Sequence, residues 1–351
     1  MPPALRTGFT TGSAAAAAAK AAALLLLEEA PPTEVDVPLP AGGRLRVPVA
    51  RLLRTADTAE AMVIKDAGDD PDATHGARIH AQLTWDRAGT EVVIHGGPGV
   101  GRVTRPGLVL PVGEAAINPA PRSQIAAAVR EALPHGGVHV TISVENGEAI
   151  AQKTMNPRLG ILGGISILGT RGTVKPFSHG AWRATIRAEL AMARAAGAKQ
   201  VLYATGGRSE RFFRAHFPAP ASAVQVADHV AFALREAARQ GFTHVHWALF
   251  LGKLLKQAQG MPCTHARFGA VDLGLLARLA REGGIDLPLS SAPTALAASD
   301  MLRGHAQAPE IYRALMVQAA RHALDFARAP LELTYSLFAL DGTLLFQWST
   351  P

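Results

Sequence analysis

The chain has 351 residues, 48% of them hydrophobic and 18% charged, with a formal net charge of +7. This length suits about two domains of roughly 150 residues each, and the apolar share is too high for a disordered chain. The positive charge is dispersed, only 5% of residues are aromatic, and no basic stretch is interleaved with aromatics. Nucleic acid is therefore set aside as a partner in favour of a polyanionic small molecule gripped by arginines.

A single cysteine, Cys263, rules out an intramolecular disulfide and a cysteine-cage metal site, and agrees with a reducing cytoplasm. The Ala14–Leu27 run follows Arg6 much as a signal peptide's apolar core would. However, Lys20 interrupts it, and Glu28-Glu29-Ala30-Pro31-Pro32 makes a poor cleavage site. The run is too short to span a bilayer, so it reads as a buried Ala/Leu helix with no membrane partner.

Ahead of that helix stands Thr7-Gly8-Phe9-Thr10-Thr11-Gly12-Ser13. Hydroxyls and glycine at a helix start cap free N–H groups, and such an end also attracts anions, so Thr10, Thr11 and Gly12 are either ordinary caps or ligand contacts. Alternation from Val35 to Val49 around Ala41-Gly42-Gly43 predicts a hairpin. The apolar run Ala61–Ile64 predicts a strand that delivers Lys65-Asp66-Ala67-Gly68-Asp69-Asp70-Pro71-Asp72-Ala73-Thr74-His75-Gly76. Its aspartates could gather oxygen ligands for Mg²⁺ or Ca²⁺, but the spacing is not that of an EF-hand. Lys65 and nearby arginines can supply the positive charge instead, so no structural metal is expected. Lys65 and His75 beside these acids make the loop a candidate acid/base constellation.

The loop His95–Gly107 carries Arg102, Thr104 and Arg105 among glycines. Glycines let N–H groups converge on an anion, and arginine holds carboxylates bidentately. A helix is expected around Ser123–Leu133 and a strand over Val138–Val144. The glycine-rich run Asn156–Gly172 separates two differently composed halves and reads as a connector that also walls a cleft. It matches neither the P-loop nor the G-x-G-x-x-G pattern.

In the second half a helix over Trp182–Ala196 precedes a buried strand, Gln200–Thr205, that ends at Gly206-Gly207-Arg208-Ser209-Glu210. A helix, the strand Ala223–Val226 and Asp228 follow, then a helix to Gln240. A third strand, Thr243–Phe250, leads into Leu251-Gly252-Lys253. This order of strand, glycine turn, helix, strand and acid follows the logic of a Rossmann-like half, with Asp228 near the expected spacing of roughly 20 residues from the turn. An N-capping role for Asp228 is the alternative. His265, in a loop on the same sheet edge, is a further candidate. Helices continue to Leu324, and Leu331–Trp348 reads as two strands around Asp341-Gly342. The expected class is α/β in two domains. Residues 1–155 form a mixed α+β domain, and residues 156–351 a Rossmann-like domain with a mostly parallel sheet.

Gly8–Ser13 with its Ala/Lys helix, Lys65–Gly76, Gly99–Gly107 through Glu114–Pro121, Asn156–Gly172, Gly206–Glu210, Gly252-Lys253 and Thr264-His265 together resemble one family. It is that of the cobalt-precorrin-5B C1-methyltransferases of anaerobic-type cobalamin biosynthesis. The chain departs from the family at Ser13-Ala14, where Thr-Cys is usual, so that cysteine is not required. It departs again at Ala204–Glu210, where a Thr-Pro-Gly-Asn run is commoner, and it matches only loosely past Gly284.

The resemblance implies methyl transfer from S-adenosyl-L-methionine to C1 of an anionic tetrapyrrole, with or without cobalt. The order of glycine turns and acid along the second half places this donor at Thr205, Gly206, Gly207, Asp228, Gly252 and Lys253. The resemblance assigns the macrocycle to Thr10, Thr11, Gly12, Lys65, Asp69, Asp70, Arg102, Thr104 and Arg105. Asp66, His75 and His265 are the candidates for moving a ring proton. A homo-oligomer is compatible with the sequence. The residues alone leave open a Mg-nucleotide-dependent small-molecule kinase or ligase, and a tetrapyrrole-binding protein without chemistry.

Overall fold

The computed structural model describes residues 5–27, 30–217 and 222–351; Glu28 and Glu29 of the unlikely cleavage site lie outside them. The chain divides into two compact units, Met1–His179 and Gly180–Pro351, in a mixed α/β architecture.

The first unit is built around the Thr11–Leu26 helix, whose alanines 14–19 and 21–23 are all fully buried. A helix that is apolar all round must be enclosed. Here alanine lets it lie close to the Pro119–Ala132 helix and to one face of a five-stranded sheet, through Ala59, Ala61, Val63, Ile79, Ala81 and Leu83. The sheet runs in the order Arg51–Arg54, Thr58–Ile64, Arg78–Asp86, Gly137–Val144, Val92–Gly96. It is antiparallel except for the last pair. The expected hairpin, Glu34–Pro38 with Arg44–Pro48, adds Val35, Val37 and Val47 to the same core. Lys20, the break in the alanine run, reaches out to the Asp36 carbonyl at 2.7 Å and to Glu131 of the second helix at 2.5 Å.

The glycine-rich run belongs inside this unit rather than at the start of the next. Gly164-Ile165 pairs parallel with Gly99-Val100, and Ile161-Leu162 pairs antiparallel with Arg102-Val103. A Cβ on Gly164 would overlap the Gly99 carbonyl, and one on Gly99, which has φ +76, would overlap that of Val144. These glycines serve close approach between chain segments. The division therefore falls at His179–Gly180 instead of between residues 155 and 156, because the run's pairing partners lie in the first half.

The second unit holds a five-stranded sheet ordered Ser222–Gln225, Gln200–Ala204, His244–Phe250, Glu332–Phe338, Leu344–Ser349. The first four strands are parallel and the last, across the Asp341-Gly342 turn, is antiparallel. One face, with Tyr203, Trp247 and Tyr335, is covered by helices including Val230–Arg239, Leu251–Ala258 and Ala308–Ala327. On the other face Phe213 of the Gly207–His216 helix packs on Leu202, Ala248 and Phe338. Further along that face runs a polar ladder: His244 to Thr334 at 2.8 Å, and His246 to Ser336 at 2.9 Å. Among the described residues no helix is long and apolar enough to cross a membrane.

Candidate functional site

In the second unit the parallel strands deliver their turns to one sheet edge. Gln200–Ala204 ends at Thr205-Gly206-Gly207, Ser222–Gln225 at Ala227-Asp228, and His244–Phe250 at Leu251-Gly252-Lys253. The Asp228 Oδ1 atom accepts from Lys253 Nζ and, at 2.7 Å, from Thr264 Oγ1. Burial alone would raise the Asp228 pKa, but these two donors outweigh it and hold the carboxyl below its ordinary range. The Thr264 loop is clipped in place, since its amide donates to the Asp228 carbonyl at 3.0 Å and buried Lys256 donates to the Thr264 carbonyl at 3.0 Å. Ala227, just before the acid, sits at φ 48, a left-handed conformation that is uncommon for a residue with a Cβ. His265 follows Thr264; its Nδ1 accepts from the Arg267 amide at 3.2 Å, which leaves the ring proton on Nε2. Thus Asp228 is an ion-paired acid rather than a helix cap, and Gly252 stands beside its partner.

Gly206 has φ 169, an extended value open to any residue, and a Cβ there would meet nothing within 4 Å. Gly207 is nearly as open, with only the Gln225 amide at 3.7 Å. Neither backbone conformation nor packing inside the unit requires glycine at either place. The space suits a ligand at the turn. Thr205 lies beside Ser209, 3.3 Å between hydroxyls, and Ser209 in turn donates to the Gly206 carbonyl.

In the first unit the Lys65–Gly76 loop is closed by Lys65 N to Ala77 O and Gly76 N to Lys65 O. Lys65 is 1% exposed and donates to Asp72 Oδ2 at 2.7 Å, while Asp72 Oδ1 accepts from the Thr74 amide and hydroxyl. Asp66 pairs with Arg6 and accepts from the Gly68 amide at 2.8 Å, and the Arg6 bond holds its pKa below the ordinary value. Asp69 accepts from the Arg6 amide at 2.6 Å, and Asp70 from the Phe177 amide at 2.8 Å. Each of these four aspartates has a protein donor. His75 Nδ1 accepts from the Ala67 amide at 3.1 Å and lies 3.7 Å from Asp66, with its ring exposed.

Thr10, Thr11 and Gly12 are buried and turned inward. Thr10 caps the helix at the Ser13 amide, the Thr11 hydroxyl serves Ser166 and Leu168, and the Gly12 amide donates to the Leu168 carbonyl. The helix start is thus closed by the glycine run, with Thr10 as its cap. Arg102 reaches the Gly113 carbonyl at 2.9 Å, Thr104 bonds the Gly160 carbonyl at 2.7 Å, and Arg105 lies over Gly160, where a Cβ would come within 2.9 Å of its side chain. Leu162, directly opposite Arg102 in the ladder, is 52% exposed; Val109 and Val112 are 85% and 55% exposed.

Sequence reasoning missed Arg6, Thr264 and Lys256 as members of these clusters. Arg6 precedes Gly8, and a Cβ on Gly8 would overlap Ala67. That close passage brings the N-terminal segment to the acidic loop, and two glycines at positions 8 and 68 are the only trace of it in the sequence.

Residues 1–176 match the family model CbiD, and residues 263–349 match the model CbiD, C-terminal domain. The chain is 49% identical to a cobalt-precorrin-5B C(1)-methyltransferase of Nitratidesulfovibrio vulgaris, covering 97% of this chain and 92% of that one. It is 44% identical to the enzyme of the same name from Geobacillus kaustophilus, covering 97% and 94%. A crystal structure of the cobalamin biosynthesis protein cbiD from Archaeoglobus fulgidus matches at 30% identity over 81% of this chain and 86% of that one, with a TM-score of 0.40. The first two are, by name, C(1)-methyltransferases of cobalt-precorrin-5B. The chain belongs to the CbiD family.

Proposed function

We propose that this chain is an S-adenosylmethionine-dependent C-methyltransferase that methylates C1 of cobalt-precorrin-5B or its metal-free equivalent. The observation that carries the donor assignment is Gly206-Gly207 lying open beside Asp228 at the edge of the parallel sheet. The sheet order supports a Rossmann-like reading of the second unit. Counted along the unit it runs 2-1-3-4-5, and the helices after the first and third strands lie on opposite faces. Ligands of such sheets bind at the carboxyl ends of the strands where the order reverses, here beside Gly206 and Gly252.

When bound, S-adenosylmethionine supplies an electrophilic methyl group on a sulfonium whose leaving group is neutral. The residues' task is then mainly alignment. Asp228, fixed by Lys253 and Thr264, is the acceptor for ribose hydroxyls, and Gly206 and Gly207 leave room for the donor's close approach. Lys253, neutralised by Asp228, adds little repulsion toward a cationic donor. Arg102 and Arg105 grip peripheral carboxylates, and exposed Leu162, Val109 and Val112 offer an apolar surface to the flat ring. In His75 and His265 a backbone amide occupies Nδ1 and the ring hydrogen is on Nε2, so each neutral ring presents a donor, and taking a ring proton requires that the Nδ1 bond be given up; Arg6 keeps Asp66 a weak base.

Calorimetric titration with S-adenosylhomocysteine and with Mg-ATP tests the reading. Saturable binding of the first and none of the second is expected. The reverse result would establish the nucleotide-dependent alternative.

A further inference from the structure

The polar face of the first unit's sheet, opposite the alanine helix, carries a histidine pair that the methyl-transfer reading does not use. His95 stands on the Val92–Gly96 strand and His139 on the neighbouring parallel strand Gly137–Val144. His95 Nε2 lies 3.2 Å from His139 Nδ1, with ring centroids 5.4 Å apart and planes inclined by 31°. Two imidazole nitrogens bound at about 2.05 Å to one tetrahedral zinc ion stand about 3.3 Å apart. The two side chains are therefore already spaced as a chelating pair.

The surroundings of His139 match what a ligating histidine needs. Its other nitrogen, Nε2, faces Asp86 Oδ2 at 3.8 Å. At this distance the contact is an ion-pair approach rather than a hydrogen bond; the carboxylate's charge favours the tautomer with the hydrogen on Nε2 and the Nδ1 lone pair toward His95, and a small turn of the ring brings the two into the carboxylate–imidazole contact common behind metal-bound histidines. Asp86 is itself fixed, since its Oδ1 accepts from the amides of Ala88 and Gly89 at 3.2 and 3.0 Å. Gly89 is tied to this geometry because a Cβ there would overlap the Asp86 carboxylate. His95 and His139 are both exposed, so the outer side of the pair is open to further ligands from solvent.

We propose that His95 Nε2 and His139 Nδ1 form a two-histidine site for a divalent transition-metal ion of the Zn²⁺, Ni²⁺ and Cu²⁺ class. Water or a small anion fills the remaining positions, and Asp86 orients His139 without ligating. Among the described residues no group of three or more His, Cys, Asp or Glu side chains is arranged to hold a metal, so this site is open and exchangeable rather than a closed structural one. Imidazole ligands select transition metals over Mg²⁺. The inference is independent of the methyl-transfer reading.

The test is calorimetric titration of Zn²⁺, with Mg²⁺ as control, into the full untagged chain and into the His95→Gln, His139→Gln and Asp86→Asn variants. One Zn²⁺ per chain and no Mg²⁺ binding are expected. Either histidine change should weaken the Zn²⁺ site at least about tenfold, and Asp86→Asn by about 10- to 100-fold. In a second measurement that needs no variant, Zn²⁺ should protect His95 and His139 of the wild-type chain from diethyl pyrocarbonate, read by mass spectrometry. Zn²⁺ binding that is absent, or equal in wild type and both histidine variants, would overturn the proposal and leave the rings sharing a proton only. Modification of both rings undiminished by Zn²⁺ would overturn it too.

Discussion

Asp228 shows how a single residue can be tied down and still be available. Its Oδ1 is used by Lys253 and Thr264, so the group is oriented and its charge is retained. Asp228→Ala should weaken S-adenosylhomocysteine by roughly 1–3 kcal/mol, the range for losing a hydrogen bond to a charged group; an unchanged calorimetric Kd would remove Asp228 from the site. Because its folded pKa is depressed, the stability it contributes is present above the ordinary carboxylate pKa and is lost only as pH falls through the lowered value. Asp66 is different in kind. Half-exposed and held by Arg6, it should tolerate Asp66→Asn with a change in melting temperature of only a few degrees, since exposed ion pairs contribute about 0–1 kcal/mol. If kcat of that variant also stays at the wild-type value, Asp66 has no part in catalysis. Arg6 was not legible as its partner, because the glycines at positions 8 and 68 that let the two segments meet do not by themselves say what they approach.

At the scale of elements, glycine separates fold from site. Gly164→Ala should destabilise the first unit by about 1–3 kcal/mol or more, since its Cβ overlaps backbone that cannot swing aside. Gly206→Ala should leave thermal unfolding within about 0.5 kcal/mol of wild type yet weaken the donor, because its Cβ enters open space. Equal effects of the two changes on melting temperature would contradict this division of roles. The same contrast explains what the sequence disclosed. Strands and helices were largely legible, as with Val138–Val144 against the observed Gly137–Val144 and the two strands around Asp341-Gly342, because alternation and turn chemistry are local. The role of Asn156–Gly172 was not, because a glycine that meets a distant carbonyl looks the same in sequence as one that admits a ligand. The closure of Thr10–Gly12 was hidden for a similar reason: the carbonyls that close the helix start come from residues 166–172.

For the whole molecule, stability and substrate affinity should respond separately to pH and salt. In the second unit His246 is held neutral, first by burial and then by nearby His244, with a pKa lowered from 6.5 to about 4. Between pH 6.5 and 4 the unfolded chain binds a proton that the folded chain refuses, so stability falls as pH drops through that window, by at most roughly 3 kcal/mol. Urea unfolding followed by fluorescence should show this decline, and His246→Gln should flatten it; an identical decline in the variant would place the cause elsewhere. Replacing Arg102 and Arg105 together with Gln should weaken the macrocycle while sparing S-adenosylhomocysteine, and the difference from wild type should shrink at high salt as exposed charges are screened. Equal loss of both ligands would assign the loop to the donor or to the fold. The most direct test of the account is turnover of cobalt-precorrin-5B with methyl-labelled S-adenosylmethionine. It predicts label at C1 of the product, with Gly206→Ala and Asp228→Ala slowed at low donor concentration. Tight binding of both ligands without any transfer of label would contradict it.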